Sequence, residues 1–231
     1  MTAKTNDKPL YLGHRKRLKE RFLIDSGVSM PDYEFLELLL TFAVPRRDVK
    51  DEAKKLLSHF GSLSNVFTAS NTALKEYGLT LTTRVLFKVL LEAFRRLSAS
   101  RLRENTNIIF TQIDYVIDYC KAKILETNVE EFHLLLLDKK LRLIEDKLIA
   151  RGSVDEVPVY TREILKYVLD SHAVSVVLYH NHPSGDCSPS HADVTRTKEI
   201  VEALRPLGVK VYDHIIVSRD DYFSFHIKGL L

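Results

Sequence analysis

The segment HNHPSGDCSPSHAD concentrates side chains that bind metal ions. Successive side chains of an extended strand point to opposite faces, so His180 and His182 share a face and can bind one ion. Ser190 and Asp193 are three residues apart, which places two side chains on one face of a helix. Two imidazoles and one carboxylate make three ligands, the number at which Zn²⁺ keeps a fourth position for water. The segment therefore predicts a catalytic zinc site with His180, His182 and Asp193 as metal ligands.

Attack on an amide carbonyl also needs a base beside the activated water. Glu131 begins the apolar segment FHLLLL, which is predicted to form a strand beside the histidine strand and to present this carboxylate to the open side of the ion. Its neighbour Glu130 is expected to face the other way. Ser190 is predicted to donate a hydrogen bond to the oxyanion of a tetrahedral intermediate.

Each of these side chains also has a plainer interpretation. His-x-His alone is expected about 0.35 times by chance in such a chain, but adding the proline, serine and aspartate lowers the expectation to the order of 10⁻⁵ to 10⁻⁴. A polar turn without metal is the alternative for the motif, and a solvated strand end is the alternative for Glu131. Cys187 is expected to be a bystander rather than a nucleophile or ligand. His214 is predicted to hydrogen-bond at a strand start near the site without binding the ion.

The first half of the chain has helical periodicity. Helices are predicted in GHRKRLKERFL, PDYEFLELLLTFAV, DVKDEAKKLLSHFG and TLTTRVLFKVLLEAFRRLSASRL. Asp48 is the expected N-cap of the third helix, and Gly61 and Gly78 are expected to end helices. The polar segment SASRLREN is predicted to be a linker, with the first domain ending at Glu104.

The second half mixes helices and strands. TQIDYVIDYCKAKIL is a predicted helix with Thr111 as its cap, and EEFHLLLLD with LRLIEDKLIARG is a predicted β-hairpin. A strand, AVSVVLYH, is expected between the helices TREILKYVLDSH and SPSHADVTRTKEIVEALRPLG, with Ser188 as N-cap of the latter and Pro189 in its first turn. VKVYDHIIVS and YFSFHI are predicted to add strands. The order predicts a mixed sheet with helices on its faces.

Composition bounds the function. The chain has 45% hydrophobic and 28% charged residues and no apolar segment of the ~20 residues that span a bilayer, so a cytoplasmic protein without a membrane partner is expected. Its two cysteines are too few for a disulfide framework, and reduced thiols are expected. Residues 1–104 carry 19 Lys and Arg against 12 Asp and Glu. This basic half is able to contact nucleic acid, although an ordinary solvated surface has the same composition.

Two sets of motifs resemble known families. His180-x-His182-Pro183, with Ser190 and then Asp193, looks like the JAMM motif of MPN-type metalloproteases. HNHPSGDCSPSHADVTRT and DHIIV, with GHRKRLKERF, MPDYEFLELLL and VPRRD in the first half, resemble the RadC family over essentially the whole chain. By this resemblance His180, His182 and Asp193 correspond to the ligands of one zinc ion, Glu131 to the general base and Ser190 to the supporting hydroxyl.

The resemblance also implies a fold. It implies an all-α domain similar to helix-hairpin-helix modules over residues 1–104. Residues 105–231 are expected to form an MPN/JAMM domain, a mixed α/β sheet of cytidine-deaminase-like fold. The family pattern departs at Gly78-Leu79-Thr80, where a Gly-Val-Gly turn is usual, and losing the second glycine weakens the case for DNA binding.

Two functions from different classes follow. The leading hypothesis is a JAMM-type zinc metalloprotease that cleaves peptide or isopeptide bonds in an unidentified protein substrate. The alternative is a DNA-associated binding protein with a non-catalytic metal site, in keeping with a family name that suggests DNA repair. A zinc deaminase is excluded because the Pro-Cys-x-x-Cys signature is missing, and the HExxH helix of other zinc proteases is missing too.

Overall fold

A computed structural model describes residues 13–104, 113–124, 127, 129–152, 159–218 and 221–231. The chain divides between Leu91 and Glu92 into two compact units. None of the helices in the described part of the chain is both long enough and apolar enough to cross a bilayer.

The first unit is helical, as the periodicity predicts. Its helices are α1 His14–Asp25, α2 Asp32–Ala43, α3 Lys50–Phe60, α4 Leu63–Thr68, α5 Asn71–Glu76 and the start of α6 Leu81–Glu104. Leu36 and Leu40 of α2, one helical turn apart, are fully buried in the core of this unit with Phe87 of α6. Gly61 ends α3 with φ of +83°, a conformation that glycine adopts without a steric cost.

The second unit is a mixed α/β fold. Its elements are α7 Ile113–Ile124, β1 Glu130–Leu137, β2 Leu143–Gly152, α8 Thr161–Ser171, β3 Ser175–Asn181, α9 His191–Leu204, β4 Lys210–Val217 and β5 Tyr222–Ser224. The strand order is β2-β1-β3-β4-β5. Among the described strands, β3 and β4 run parallel and the other neighbouring pairs are antiparallel. The predicted hairpin, central strand and mixed sheet are therefore confirmed.

The hairpin between β1 and β2 is closed by one aspartate. Asp138 Oδ1 accepts hydrogen bonds from the backbone N–H groups of Lys140 and Arg142, at 2.8 and 2.9 Å. Leu141 takes a positive φ of +58° inside this turn and is buried. The turn leads the chain from β1 into β2, which lies at the edge of the sheet.

Helices cover both faces of the sheet. Alternate residues of each strand therefore pack into two hydrophobic cores, one on each face. On one face, Leu135, Val177, Tyr179 and Ile215 pack against α7. On the other face lie Phe132, Leu134, Val176 and Leu178, packed with apolar residues of α8 and α9. Because the central strand β3 is buried along its whole length, its polar residue His180 is held in a dense environment.

Three details differ from the sequence predictions. Residues 98–104 of the predicted linker continue α6, and Leu102 is buried in the core beside α7, against which Ala99 of the same helix also packs. The N-cap of α3 is Val49; Asp48 instead accepts from the N–H of Lys50. The N-cap of α9 is Ser190 rather than Ser188. Thr111, the predicted cap of α7, lies outside the described residues, and the domain boundary at Glu104 stays a prediction.

Candidate metal centre

The end of strand β3 carries the two histidines. His180 is fully buried, and the backbone N–H of His182 continues the ladder to β4 by donating to the carbonyl of Val217 at 3.0 Å. Pro183 ends the ladder because it has no N–H. The Nε2 atoms of His180 and His182 are 3.0 Å apart. The alternation of strand side chains therefore brings both rings to one side, as expected.

Asp193 approaches the histidines from the first turn of α9. The Ser190 N–H donates to Asp193 Oδ2 at 2.8 Å, and the Asp193 N–H donates to Ser190 Oγ at 3.1 Å, which together form a capping box. The Ser190 hydroxyl donates to the same Oδ2 at 2.6 Å. Oδ1 lies 3.4 Å from Nε2 of His180, and Oδ2 lies 3.8 Å from Nε2 of His182. The helix cap thus fixes this carboxylate beside both imidazoles.

Glu130, rather than Glu131, is the β1 carboxylate on this side of the sheet. Phe132 is paired with His180 across the antiparallel strands, so the two share a face, and Glu130 shares it too because it precedes Phe132 by two residues. A carboxylate oxygen of Glu130 and one ring nitrogen each of His180 and His182 lie within 4.8 Å of one another. The expectation that Glu130 faces away does not agree with this register.

The Glu131 carboxylate lies on the opposite face of β1. It contacts Nε2 of His133 at 3.3 Å, Nε of Arg151 at 3.2 Å and the hydroxyl of Thr127 at 3.3 Å. His133 in turn contacts Oδ1 of Asp146 at 3.0 Å. The structure therefore does not bring Glu131 to the histidine pair; it places this carboxylate at one end of a polar network on the α7 side.

Asn181 fixes the backbone around Glu130. Its side-chain oxygen accepts from the N–H of Glu131 at 2.8 Å, and its side-chain nitrogen donates to the carbonyl of Val129 at 2.9 Å. These two bonds hold the chain on both sides of Glu130. Asn181 turns away from the two histidines, as expected. It thereby positions the Glu130 carboxylate opposite them.

Burial controls the charge of the inner histidines. It lowers the pKa of His180 to about 4, although the nearby Asp193 carboxylate acts in the opposite direction. Burial also lowers the pKa of His214 well below its usual value, and the neighbouring His180 adds to this shift. Both rings are therefore neutral near pH 7, and a neutral imidazole keeps a lone pair on one nitrogen.

The donor atoms fit a divalent metal ion. The carbonyl oxygen of Asp186 lies 2.6 Å from Nδ1 of His182, and a carbonyl only accepts, so Nδ1 carries a proton and Nε2 is the ring nitrogen that faces the site. Two ring nitrogens and nearby carboxylate oxygens are a donor set that suits Zn²⁺. A cation between the facing Nε2 atoms of His180 and His182 also relieves the repulsion of two lone pairs.

Comparison with protein families agrees with this geometry. A family model described as RadC-like JAB domain matches residues 110–230, which is more than half of the chain. The chain belongs to the RadC-like JAB domain family. The JAB domain includes the whole sheet and every side chain of the candidate site. With Glu130, His180 and His182 converging at one strand end, this domain has a metal-dependent hydrolase-like fold.

The JAB domain contains two further site-adjacent groups. His214 is fully buried on β4, and its Nε2 lies 2.9 Å from Nδ1 of His180, so it lies near the site as predicted. It lies within β4, Lys210–Val217, rather than at the start of a strand. Thr197 of α9, which the sequence did not single out, contacts His214. The signal in the sequence was the spacing of Thr197 from Asp193, four residues on the same helix face.

Cys187 of the JAB domain is buried in a small apolar cluster with Ile216 and Phe225. Burial raises the pKa of its thiol, which makes the nucleophilic thiolate scarce. These surroundings agree with the expected bystander.

Proposed function

We propose that this protein is a zinc-dependent hydrolase that cleaves peptide or isopeptide bonds. The observation that carries the proposal is the convergence of two Nε2 atoms, 3.0 Å apart, with the Asp193 carboxylate and the Glu130 carboxylate. His180, His182 and Asp193 are assigned as the ligands of one zinc ion. The family match supports the proposal because it covers the domain that holds all four side chains.

Each residue has a chemical task in this proposal. His180, His182 and Asp193 would hold the zinc ion, which would lower the pKa of a water molecule and polarise the carbonyl of the scissile bond. Glu130 accepts a proton from the attacking water and returns it to the leaving amine. We transfer this role to Glu130 from Glu131, the residue expected from the family resemblance, because Glu131 is engaged with His133 and Arg151 on the other face.

Ser190 has a different primary task from the expected oxyanion donor. Its single hydroxyl proton is directed at Asp193, 2.6 Å away, while its oxygen accepts from the Asp193 N–H. We assign Ser190 the orientation of this ligand. Donation to an oxyanion remains a proposal that requires the hydroxyl to rotate away from Asp193.

Nucleic acid is the second candidate partner, through the basic helical unit. Lys16, Arg17 and Lys19 are exposed on one end of α1, which gives this unit a cationic surface. The turn at Gly78-Leu79 carries no second glycine, and Leu79 is buried in the core of the unit, so a phosphate does not meet two glycine N–H groups there. A DNA affinity that falls steeply with salt and is unchanged by Asp193→Ala would favour this function.

The cytoplasm is the proposed location. Cys120 and Cys187 are both free and buried, as expected for reduced thiols.

Metal content tests the proposal first. Full-length wild type, His182→Ala and Asp193→Ala are purified, supplied with zinc, desalted and measured by elemental analysis beside circular dichroism. About one zinc per chain in the wild type and a strong loss in both variants, with unchanged helix and strand content, is expected. Wild type without stoichiometric zinc would contradict the proposal. Loaded wild type is then assayed on quenched peptide libraries and isopeptide-linked dipeptides, with His182→Ala as the blank.

A further inference from the structure

We propose that Thr197 and His214 are positioning residues that hold His180 in the one tautomer that can bind the ion. The inference rests on the proposed function, because it concerns a ligand of the same site. The structural feature is a line of short contacts from the backbone of Asp193 through Thr197 and His214 to the ring of His180. We call these four residues the relay.

Three distances define the relay. The hydroxyl of Thr197 lies 2.6 Å from the carbonyl oxygen of Asp193. The same hydroxyl lies 2.6 Å from Nδ1 of His214. Nε2 of His214 lies 2.9 Å from Nδ1 of His180. All three contacts have the length of good hydrogen bonds, and Thr197, His214 and His180 are at most 1% exposed, so water does not compete for them.

Each hydrogen bond of the relay has one defined donor and one defined acceptor. The Asp193 carbonyl can only accept, so the single Thr197 hydroxyl proton points to it, and the hydroxyl oxygen must accept from Nδ1–H of His214. Neutral His214 then has a bare Nε2, which accepts from Nδ1–H of His180. Neutral His180 is left with a lone pair on Nε2, the atom 3.0 Å from Nε2 of His182. The Thr197 hydroxyl, acting through His214, therefore determines that Nε2 of His180 is the nitrogen with a free lone pair.

Aromatic contacts hold both rings in place. The ring of Phe225 stacks on His214 with centroids 4.7 Å apart. Phe132 stacks on His180 at 5.8 Å and meets His214 edge-on at 5.6 Å. Rotation of either imidazole would break a stack as well as a hydrogen bond. The tautomer therefore depends on the relay protons, since the ring orientations are already fixed by packing.

The relay also joins two ligands. It begins at the backbone of Asp193 and ends at His180, while the Asp193 carboxylate lies 3.4 Å from Nε2 of the same histidine. Outer partners of metal-bound histidines fix ring orientation and tautomer, and their loss typically costs about 10–100-fold in metal affinity. We expect a loss in this range when the Thr197 hydroxyl is removed.

Thr197→Val tests the hydroxyl, and Thr195→Val is its matched control. Thr195 makes the same local bond, from its hydroxyl to the carbonyl of His191 at 2.9 Å, on the same helix, but it is exposed. Zinc dissociation constants of the full-length proteins are measured by competition with a chromophoric chelator. Thr197→Val is expected to weaken zinc binding about 10-fold or more, whereas Thr195→Val is expected to stay within about 2-fold of the wild type.

The role of His214 is tested by two substitutions, one of which keeps a hydrogen-bond acceptor while the other removes it. Phe removes both nitrogens and keeps an aromatic ring against Phe225, whereas Gln keeps an amide oxygen that can accept from Nδ1–H of His180. The expected order of zinc affinity is wild type, then His214→Gln, then His214→Phe. A purely structural role for His214 predicts that Phe, which preserves packing better, binds zinc as well as Gln or better.

Histidine ¹H–¹⁵N correlation spectra of the zinc-free protein give a second readout, independent of metal binding. His180 is expected as the Nδ1–H tautomer in the wild type and in Thr195→Val, and as a mixture in Thr197→Val. The inference is overturned if His180 carries its proton on Nε2 in the wild type, or if Thr197→Val changes neither the tautomer nor zinc affinity. Wild type that binds no zinc but shows the expected tautomers would contradict the proposed function and leave the relay supported.

Discussion

Phe132 of β1 lies directly opposite His180 of β3, and their rings are stacked with centroids 5.8 Å apart. This pairing decides which glutamate meets the histidines, because residues two apart on a strand share a face and neighbours do not. It places Glu130 on the side of the histidine pair and Glu131 on the α7 side.

The two glutamates are therefore expected to respond differently to the same substitution. Glu130→Gln removes the proposed proton acceptor and should lower zinc-dependent hydrolysis about 100-fold or more, while zinc content measured by elemental analysis stays near that of the wild type. Glu131→Gln serves as the control and should leave the rate within a few fold. If Glu131→Gln lost the hydrolysis rate and Glu130→Gln retained it, Glu131 rather than Glu130 would be the general base.

The cap of α9 gives a prediction about stability. Ser190→Ala removes the hydroxyl that accepts from the Asp193 N–H, so the free energy of unfolding in urea should fall by about 1 kcal/mol. Zinc affinity should fall with it, because the Asp193 carboxylate loses a hydrogen bond that orients it. Ser188→Ala, two residues earlier at an exposed position, should change neither quantity measurably. Equal losses in both variants would contradict the assignment of Ser190 as the cap.

The buried histidines predict a pH dependence of the zinc-free protein. The folded state holds the pKa of His180 at about 4 and that of His214 well below its usual value, whereas both return to about 6.5 on unfolding. The unfolded chain therefore binds more protons as pH falls. The stability that these two rings provide is complete above pH 6.5 and is lost toward pH 4, at about 1.4 kcal/mol per pH unit for each histidine.

Urea unfolding at pH 7, 6 and 5 with a chelator present measures this slope. His214→Phe should have a slope shallower by about one proton, since the remaining titrating groups are common to both proteins. A variant slope equal to that of the wild type would mean that His214 is not held neutral in the fold.

The polar network on the α7 side predicts a loss of stability without loss of metal. Asp146 accepts from the hydroxyls of Tyr119 and Tyr179 at 2.7 and 2.8 Å and contacts His133 at 3.0 Å. Burial alone would raise its pKa, but the hydrogen bond and charge of His133, together with the tyrosine hydroxyls, hold that pKa below the usual range. Asp146→Ala leaves three buried groups without their acceptor, which should cost about 3 kcal/mol in chemical denaturation.

Zinc content of Asp146→Ala should equal that of the wild type, because the network lies across the sheet from the histidine pair. Glu145→Ala, at an exposed neighbouring position, should change stability by less than about 0.5 kcal/mol. A parallel loss of zinc in Asp146→Ala would show that the two faces of the sheet are coupled.

Local patterns were sufficient to predict most elements of this fold. The helices around Leu36 and Leu56, the hairpin at Asp138 and the strand that ends before Pro183 all follow from periodicity and turn residues. The His-x-His pair and Asp193 were found the same way, because strand alternation and helix spacing are local properties.

The remaining site residues depend on how distant strands pair. Choosing Glu130 over Glu131 needs the register of β1 against β3, and a shift of one residue exchanges the two faces. His214 meets His180 because β4 pairs in parallel with β3, although helix α9 separates the two strands in the sequence. The cap of α9 was misplaced by two residues, since Ser188 and Ser190 are both good cap residues and only the Asp193 side chain distinguishes them.

His182 is the most accessible of the three proposed ligands, with 13% of its side chain exposed against 0% for His180 and 6% for Asp193. On the proposed function, an ion would arrive and leave past His182 and the exposed turn that follows it, where Gly185 has a φ of +93°. Changes in this turn would then act on the rates of ion exchange, raising or lowering capture and release together, whereas changes in the buried interior would act on the affinity. A site built this way would separate how fast an ion is acquired from how tightly it is kept.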